Sequence, residues 1–390
     1  MDLEVLEALQ TAVGRSALAR AMALGPTDAT FLKCFNRLSK EVSGEVARAA
    51  LQTAMLRQRG RAKFSAADAM FFTREALEQA SSEAVARHRA RRFAGLSRVA
   101  DLCCGIGGDA LALTEVGEVL AVDNDPLHLA MTGLNLAAVG RRERATLVAG
   151  DVLQVELAGI AGVFVDPDRR VEGRRELSIA RYQPGVEAVL GRFAASFPVG
   201  VKLAPGVPLD ELRGIAGELE FISLGGELKE CVLWRGPLAQ TGRRATLLPG
   251  GHALSAEEPC AVPEAEEPGE WLYDPDPAVS RAGLVGELAE LLEAWPVDAG
   301  IVYLSSAEQR ATPFAKVHRI EAVLPFHVQR LREYLRERSV GRVQVQRRGS
   351  PVEPASLERE LRLKGDEFRT LLLTQVVGRH SVIVVDPGGA

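Results

Sequence analysis

Val99-Ala100-Asp101-Leu102-Cys103-Cys104-Gly105-Ile106-Gly107-Gly108-Asp109 is the stretch that decides the fold. A short apolar run enters a glycine-rich turn, and the alanine-leucine pattern over residues 110–116 predicts a helix packed back on the strand. Glycine at 105, 107 and 108 lets the backbone take φ > 0 and approach a ligand with no Cβ in the way. Strand, turn and helix form half of a nucleotide-binding unit, which predicts an α/β fold with a nucleoside or nucleotide ligand.

Taken alone, Gly105-x-Gly107-x-x-Ala110 also satisfies the dinucleotide fingerprint and does not separate a nicotinamide enzyme from an S-adenosylmethionine enzyme. The surrounding residues favour the second. Asp101 sits inside the strand, where a carboxylate needs a reason to be, and residues 118–123 form a second strand ending in Asp123, with Asn124 next. An acid at that position is placed to accept both ribose hydroxyls in either case. A third strand over 145–149 leads into Asp151-Val152, and a fourth over 162–165 ends in Asp166-Pro167-Asp168-Arg169. Carboxylates at or near the C-terminal ends of successive strands fit the crevice where open α/β sheets bind ligands. A dehydrogenase has no use for Asp101 or for an Asp-Pro turn after the fourth strand. The cofactor candidates are therefore Asp101, Cys103, Gly105, Gly107, Gly108, Asp123, Asn124, Asp151 and Val152.

At 390 residues the chain exceeds one typical domain. Hydrophobic residues at 47% and charged ones at 25% belong to a globular chain and exclude gross disorder or a fibrous repeat. A net charge of -5 does not mark a nucleic-acid binder, though it permits a local basic face. Cys34, Cys103, Cys104, Cys231 and Cys260 show no C-x-x-C spacing, so neither a disulfide framework nor a zinc ribbon is expected, and Cys103 and Cys104 are taken as small apolar residues of a buried strand. No histidine pair has metal-ligand spacing, and neither H-E-x-x-H nor G-x-S-x-G occurs, so no metal site and no hydrolase chemistry are expected. Without a basic, apolar leader or a run near the roughly 18 apolar residues of a membrane span, the chain is expected in the cytoplasm with no membrane partner.

Along the chain, residues 3–92 have helical spacing, for example Phe31, Cys34, Phe35 and Leu38 on one face. The stretch 60–68 interrupts it, and Thr73 with Glu75 two residues on has the form of a helix start. Phe71-Phe72 before that cap is either a core anchor or a ligand contact, which adds Phe72 and Thr73 to the cofactor candidates. In the sheet domain a helix is predicted over 127–139, a fifth strand over 199–203, and two more over 221–224 and 231–234. The link through Gly225-Gly226 is too short for a parallel crossover, so these last two are antiparallel. One short strand over 245–248 precedes a proline-, glycine- and glutamate-rich linker over 248–269. Beyond it the pattern is α/β again: a helix with Val328, Leu331, Tyr334 and Leu335, a strand with Val343 and Val345, a helix with Leu357 and Leu361, and strands over 370–377 and 381–385. The expected organisation is a helical extension over 1–95, a sheet domain over 96–250, a linker with a connecting α/β segment over 251–324, and a small α+β domain over 325–390.

Parallel strands with an antiparallel hairpin at one edge are the arrangement of class I (Rossmann-like) methyltransferases. The chain resembles the bacterial S-adenosylmethionine-dependent members of that class that carry a THUMP-like C-terminal domain. The resemblance rests on Ala62-Lys63-Phe64, on Phe72-Thr73-Arg74-Glu75-Ala76-Leu77-Glu78-Gln79-Ala80, on the stretch from Asp101 to Asp109, on Asp166-Pro167-Asp168-Arg169-Arg170, on Gly226-Glu227-Leu228-Lys229-Glu230-Cys231 and on Leu324-Pro325-Phe326. More distantly, the helical run before the sheet and the Cys-Gly-x-Gly-Gly turn are similar to the RNA cap guanine-N2 methyltransferases. There a Ser-Pro-Pro-Trp motif follows the fourth strand and its aromatic stacks on the cap guanine. Here Asp166-Pro167-Asp168-Arg169 lacks the aromatic and the second proline, which argues against cap recognition. The resemblance implies S-adenosylmethionine as cofactor and RNA as partner.

The Asp-Pro turn also has a physical rationale, beside the alternative that it is a plain strand-to-loop turn. Pro167 holds Asp166 extended and removes a backbone donor, so carboxylate and carbonyls offer only acceptors. An exocyclic amine is the matching substrate, held in line with a sulfonium methyl. Asp166, Pro167 and Asp168 are the catalytic candidates. Arg169, Arg170, Arg174 and Arg175, with Arg181, form a basic cluster after the turn that is either a solvated loop or a phosphate-contacting surface, and Arg87, Arg89, Arg91 and Arg92 would extend it. The expected function is methylation of an amine nitrogen of an RNA base. The alternatives are a small-molecule methyltransferase and a non-catalytic RNA-binding protein that retains the cofactor pocket.

Overall fold

The computed structural model describes residues 1–171 and 174–386; for Arg170, Val171, Arg174 and Arg175 it describes the backbone alone. The chain separates into two compact units, 1–218 with 230–240, and 219–229 with 241–390.

The first unit begins with helices α1 (Leu3–Gln10), α2 (Ala12–Leu24), α3 (Phe31–Leu38), α4 (Gly44–Gly60), α5 (Arg74–Gln79) and α6 (Glu83–Ala90). Four of these starts are set by side-chain caps: Asp2 (α1), Thr11 (α2), Ser43 (α4) and Thr73 (α5) accept from the backbone N–H of Val5, Gly14, Val46 and Ala76. The sheet follows with β1 (Arg98–Leu102), α7 (Gly108–Val116), β2 (Glu118–Asp123), α8 (Pro126–Ala138), β3 (Ala145–Ala149), β4 (Gly162–Val165), the short antiparallel pair β5 (Arg170–Val171) and β6 (Arg174–Arg175), α9 (Val186–Gly191) and β7 (Val199–Leu203). β8 (Glu218–Leu224), which from Leu219 belongs to the second unit, and β9 (Glu227–Arg235), which from Glu230 belongs to the first, come next in the chain, linked through Gly225 and Gly226 at φ 62 and 80, the left-handed pair that a two-residue turn needs.

β1 pairs in parallel with β2 on one side and β4 on the other; β2 continues to β3 and β4 to β7, both parallel, and β7 closes antiparallel on β9. The chain therefore runs outward in opposite directions from the β1/β4 junction, and ligands bind outside the carboxyl ends of strands at such a switch point. Ala100, Leu102, Val122, Val163 and Val165, all fully buried, form the core on one face, as near-continuous apolar parallel strands must when covered on both sides.

In the second unit β10 (Arg243–Leu248) lies parallel to β8, and β11 (His252–Ala256) antiparallel to β10. After it come β12 (Trp271–Pro275), α10 (Pro277–Ala282), α11 (Val285–Leu292), β13 (Trp295–Asp298), β14 (Ile301–Ser306), β15 (Ala315–Pro325), α12 (Val328–Glu337), β16 (Val340–Arg347), α13 (Pro354–Leu361), β17 (Glu367–Val376) and β18 (Arg379–Val385). A sheet in the order β13-β14-β12-β15-β18-β17-β16 packs Leu371, Leu373, Val382 and Val384 on Leu331 and Leu335 of α12 and Leu357 and Leu361 of α13.

Two expectations change here. The linker expected over 248–269 contains β11, whose residues are mostly exposed and so carry no apolar alternation to read. The boundary expected at 325 falls on the last residue of β15, which pairs with β12 and β18 in one sheet, so the segment from Trp271 onward shares the sheet of the C-terminal strands.

Candidate active site

β1 ends at Leu102, and the next residues turn sharply: Cys103, Gly105 and Gly107 have φ of 63, 54 and 82. Cys103 and Cys104 thus lie in the turn, not in the strand as expected, and Cys103 is a half-buried non-glycine residue held in the left-handed region. Glycine is needed at 105 and 107 for different reasons. A Cβ on Gly107 would come within 2.9 Å of the Thr132 methyl, whereas one on Gly105 would project into open space with nothing within 4 Å. Gly108 opens α7 and faces Phe64 and Ala80.

The turn is pinned from α8. Thr132 Oγ1 donates to the Gly105 carbonyl (2.7 Å), and Asn135 Nδ2 donates to the Ile106 (2.8 Å) and Phe71 (3.0 Å) carbonyls while its Oδ1 accepts from Phe71 N–H (2.7 Å). Phe72 is fully buried, packed against Phe64 and Gly60, as the core-anchor alternative expects. Thr73 uses its hydroxyl on the α5 cap (3.0 Å).

Asp101 is fully buried and neither carboxylate oxygen has a hydrogen-bond partner. Burial pushes its acid well above the usual carboxylate range, and the charges of Asp109 and Asp166 push the same way. Asp123, at the end of β2, accepts from Gly105 N–H (2.8 Å) and from Asp125 N–H (2.9 Å), so it braces the turn and retains lone pairs for a ligand. Asn124 is exposed; Asp151 is exposed and accepts from Leu153 N–H (2.8 Å), and Val152 is buried in the core.

After β4, Asp166 N–H donates to the Leu102 carbonyl (3.2 Å), which ties the Asp-Pro turn to the end of β1. Its Oδ2 lies 2.5 Å from Lys202 Nζ. Pro167 is buried; Asp168 is exposed, bridges Gln183 through both backbone groups (2.9 Å each) and accepts from Gln79 Nε2 (3.4 Å). Arg169 is half-buried and its carbonyl accepts from Glu176 N–H (2.7 Å). The side chains of Arg170, Arg174 and Arg175 lie outside the described residues. The structure thus brings Asp101, the glycine turn and Asp166 together at the β1/β4 switch point.

Two Mycobacterium tuberculosis proteins (strains CDC 1551 / Oshkosh and ATCC 25618 / H37Rv), named as uncharacterized S-adenosylmethionine-dependent methyltransferases, are each 38% identical over 339 residues, 84% of this chain and 92% of the relative. The chain belongs to the S-adenosylmethionine-dependent methyltransferases. Family models match in three places: RNA cap guanine-N2 methyltransferase over 96–189, THUMP domain-like over 315–387, and a domain of unknown function over 2–60. The crystal structure of a protein assigned as a methyltransferase from Porphyromonas gingivalis W83 shares the fold over 100% of both chains, with TM-score 0.75 and 19% identity.

Around the candidate site lie ion pairs that the sequence did not disclose. Arg89, expected on an RNA-facing surface, is buried, bonded to Asp109 and Glu230, and stacked 4.9 Å from the centroid of the Phe164 ring. Arg92 is bound by Glu218 (2.7 Å) and Arg87 by Glu83 and Glu115, so these arginines too are committed within the protein. Burial raises the Asp109 acid although Arg89 opposes it. Lys63 donates to the carbonyls of Leu77 (2.7 Å), Glu78 (3.0 Å) and Ala80 (2.7 Å), closing α5 beside the turn. One signal was available: Lys202 interrupts an otherwise apolar strand. Around the glycine turn the acidic residues Asp101, Asp109, Asp123, Asp166 and Glu230 stand beside the buried basic residues Arg89 and Lys202. Among the described residues no group of His, Cys, Asp or Glu is placed to hold a metal ion, and no helix is long and apolar enough to cross a membrane.

Proposed function

We propose that this methyltransferase methylates an exocyclic amine nitrogen of an RNA base. The observation that carries the proposal is the Asp166-Pro167 turn, anchored to the end of β1 beside a buried carboxylate with no partner. S-adenosylmethionine supplies an electrophilic methyl group on a sulfonium. The unpaired Asp101 fits the cofactor's cationic amino-acid end, because a buried carboxylate is stable only when paired. Gly105 leaves open space in front of the turn. Asp123 and Asn124 after β2, with Asp151 and Val152 after β3, would meet the nucleoside half.

At Asp166 the chain offers acceptors and, at Pro167, no N–H. An amine donating to those acceptors is oriented with its lone pair toward the methyl group, and positioning of this kind lowers the barrier without a new covalent bond to the protein. As the N–C bond forms, the methyl–sulfur bond would break to leave the thioether, and the proton lost by the amine would pass to the Asp166 carboxylate, the adjacent base. Asp168 and Arg169 follow directly and would border the base; a guanidinium at 169 can stack where the relatives' aromatic is missing. RNA as the source of the amine is supported by the match over 96–189 to RNA cap guanine-N2 methyltransferases and the THUMP domain-like match over 315–387.

Mass spectrometry of RNA nucleosides from cells with and without the protein tests this. The expected result is one methylated nucleoside that disappears with the protein and returns with the wild-type gene. Unchanged RNA nucleosides, with methyl transfer into the small-molecule fraction, would overturn RNA as the substrate.

A further inference from the structure

We infer that Lys202 is a positioning residue for methyl transfer, fixing one oxygen of Asp166 so that the other is held toward the incoming amine. The inference deepens the role proposed for Asp166 and rests on it.

It begins with register. β4 and β7 are parallel with Val165 opposite Val201, so the next residues, Asp166 and Lys202, stand side by side at the carboxyl ends of adjacent strands. Neighbouring residues of Lys202 on its own strand, Val201 and Leu203, are fully buried, and the lysine side chain itself is 3% exposed. An ammonium at such a place is sustained only by a paired carboxylate. That carboxylate is 22% exposed, so the pair is lopsided, with its cation inside and its anion at the crevice edge. Arg89 provides the contrast: it is 1% exposed and its partners Asp109 and Glu230 are 11% and 2%, a pair enclosed on every side as a packing element would be.

The backbone at Asp166 is already fixed from both directions. Its N–H is bonded to the Leu102 carbonyl, and Pro167 restricts it from the other side. What remains free is rotation about the side-chain torsions, and the 2.5 Å contact from Lys202 Nζ to Oδ2 removes it. One oxygen is held by the ammonium; Oδ1 keeps its lone pairs for the substrate. The cost of orienting the acceptor is thereby met in the free enzyme, which is where pre-organisation raises the rate of the chemical step.

The test is steady-state transfer of a labelled methyl group from S-adenosylmethionine to RNA prepared from cells lacking the protein, with full-length wild type, Lys202→Met, Lys202→Arg, Asp166→Asn and the Asp166→Asn/Lys202→Met double variant. Incorporation by wild type tests the underlying role of the site. Lys202→Met is expected to lose about tenfold or more in kcat while cofactor affinity and KM stay within about twofold. Lys202→Arg, which keeps a charge of the same sign in case the methionine variant folds poorly, is expected to recover part of that loss. In the Asp166→Asn background removing Lys202 is expected to cost nothing further, a non-additivity that a purely structural lysine would not show. Wild-type kcat in Lys202→Met, or an equal further loss in the Asp166→Asn background, would overturn the role of Lys202 and leave that of Asp166 standing.

Discussion

At Asp101 a carboxylate is enclosed with no donor, and its acid is raised far above the ordinary value of about 3.9 for an aspartate. The folded protein then holds a proton that the unfolded chain releases, so this residue's contribution to stability is lost as pH rises from about 4 toward the folded value. The thermal midpoint of cofactor-free wild type, minus that of Asp101→Asn, is expected to fall across that range; a difference independent of pH would show that Asp101 is charged in both states. Asp123 carries a second residue-scale prediction. Asp123→Ala removes the acceptor for Gly105 N–H as well as the proposed ribose contact, and hydrogen bonds to a charged group contribute roughly 1.5–3 kcal/mol each. About tenfold weaker S-adenosylmethionine binding or more is expected by calorimetry, and unchanged affinity would remove Asp123 from the site. The places of Asp101 and Asp123 at the ends of β1 and β2 could be read from the sequence, because each acid closes a short apolar run. Arg89 could not, since a buried arginine in Arg87-His88-Arg89-Ala90-Arg91-Arg92 has the local pattern of a solvated basic face.

Strands β1 through β4 were legible because each is a short apolar run with an acid or glycine at its end or within three residues of it. β15 was not: Ala315-Lys316-Val317-His318-Arg319-Ile320 mixes charge into a strand that is largely half-buried, so neither face announces a core. What sequence could not show for α8 is that its polar residues face inward. Thr132 and Asn135 sit three apart on a largely apolar helix, a spacing that places them on one face, but only the fold reveals the glycine turn as their partner. Asn135→Ala would strand Phe71 N–H and the carbonyls of Phe71 and Ile106, with buried unpaired groups costing about 1–3 kcal/mol each. A loss of about 2–4 kcal/mol in urea unfolding is expected, with weaker cofactor binding in the folded variant; stability within about 0.5 kcal/mol of wild type would mean that α8 does not hold the turn.

For the whole molecule, a net charge of -5 means that RNA binding would depend on local basic surface against an unfavourable total. RNA affinity is therefore expected to fall steeply with added salt, with a log–log slope of about 0.7 for each phosphate neutralised on a single strand, while S-adenosylmethionine affinity changes little. Flat salt dependence would point to a small-molecule acceptor. The division into a methyltransferase sheet and a second α/β unit was legible in outline, but its boundary was not, because the chain enters the second unit at 219–229 and returns to the first before 241. Composition follows the chain in order and cannot register such an excursion. The most direct measurement is single-turnover methyl transfer by Asp166→Asn, with S-adenosylmethionine affinity measured on the same preparation. The carboxamide keeps the shape of Asp166 but turns half of its acceptor into a donor and removes its negative charge. Cofactor affinity close to wild type with methyl transfer reduced roughly 10²-fold or more is expected, the scale of failed positioning at a reacting centre; wild-type transfer by Asp166→Asn would contradict the assignment of catalysis to this turn.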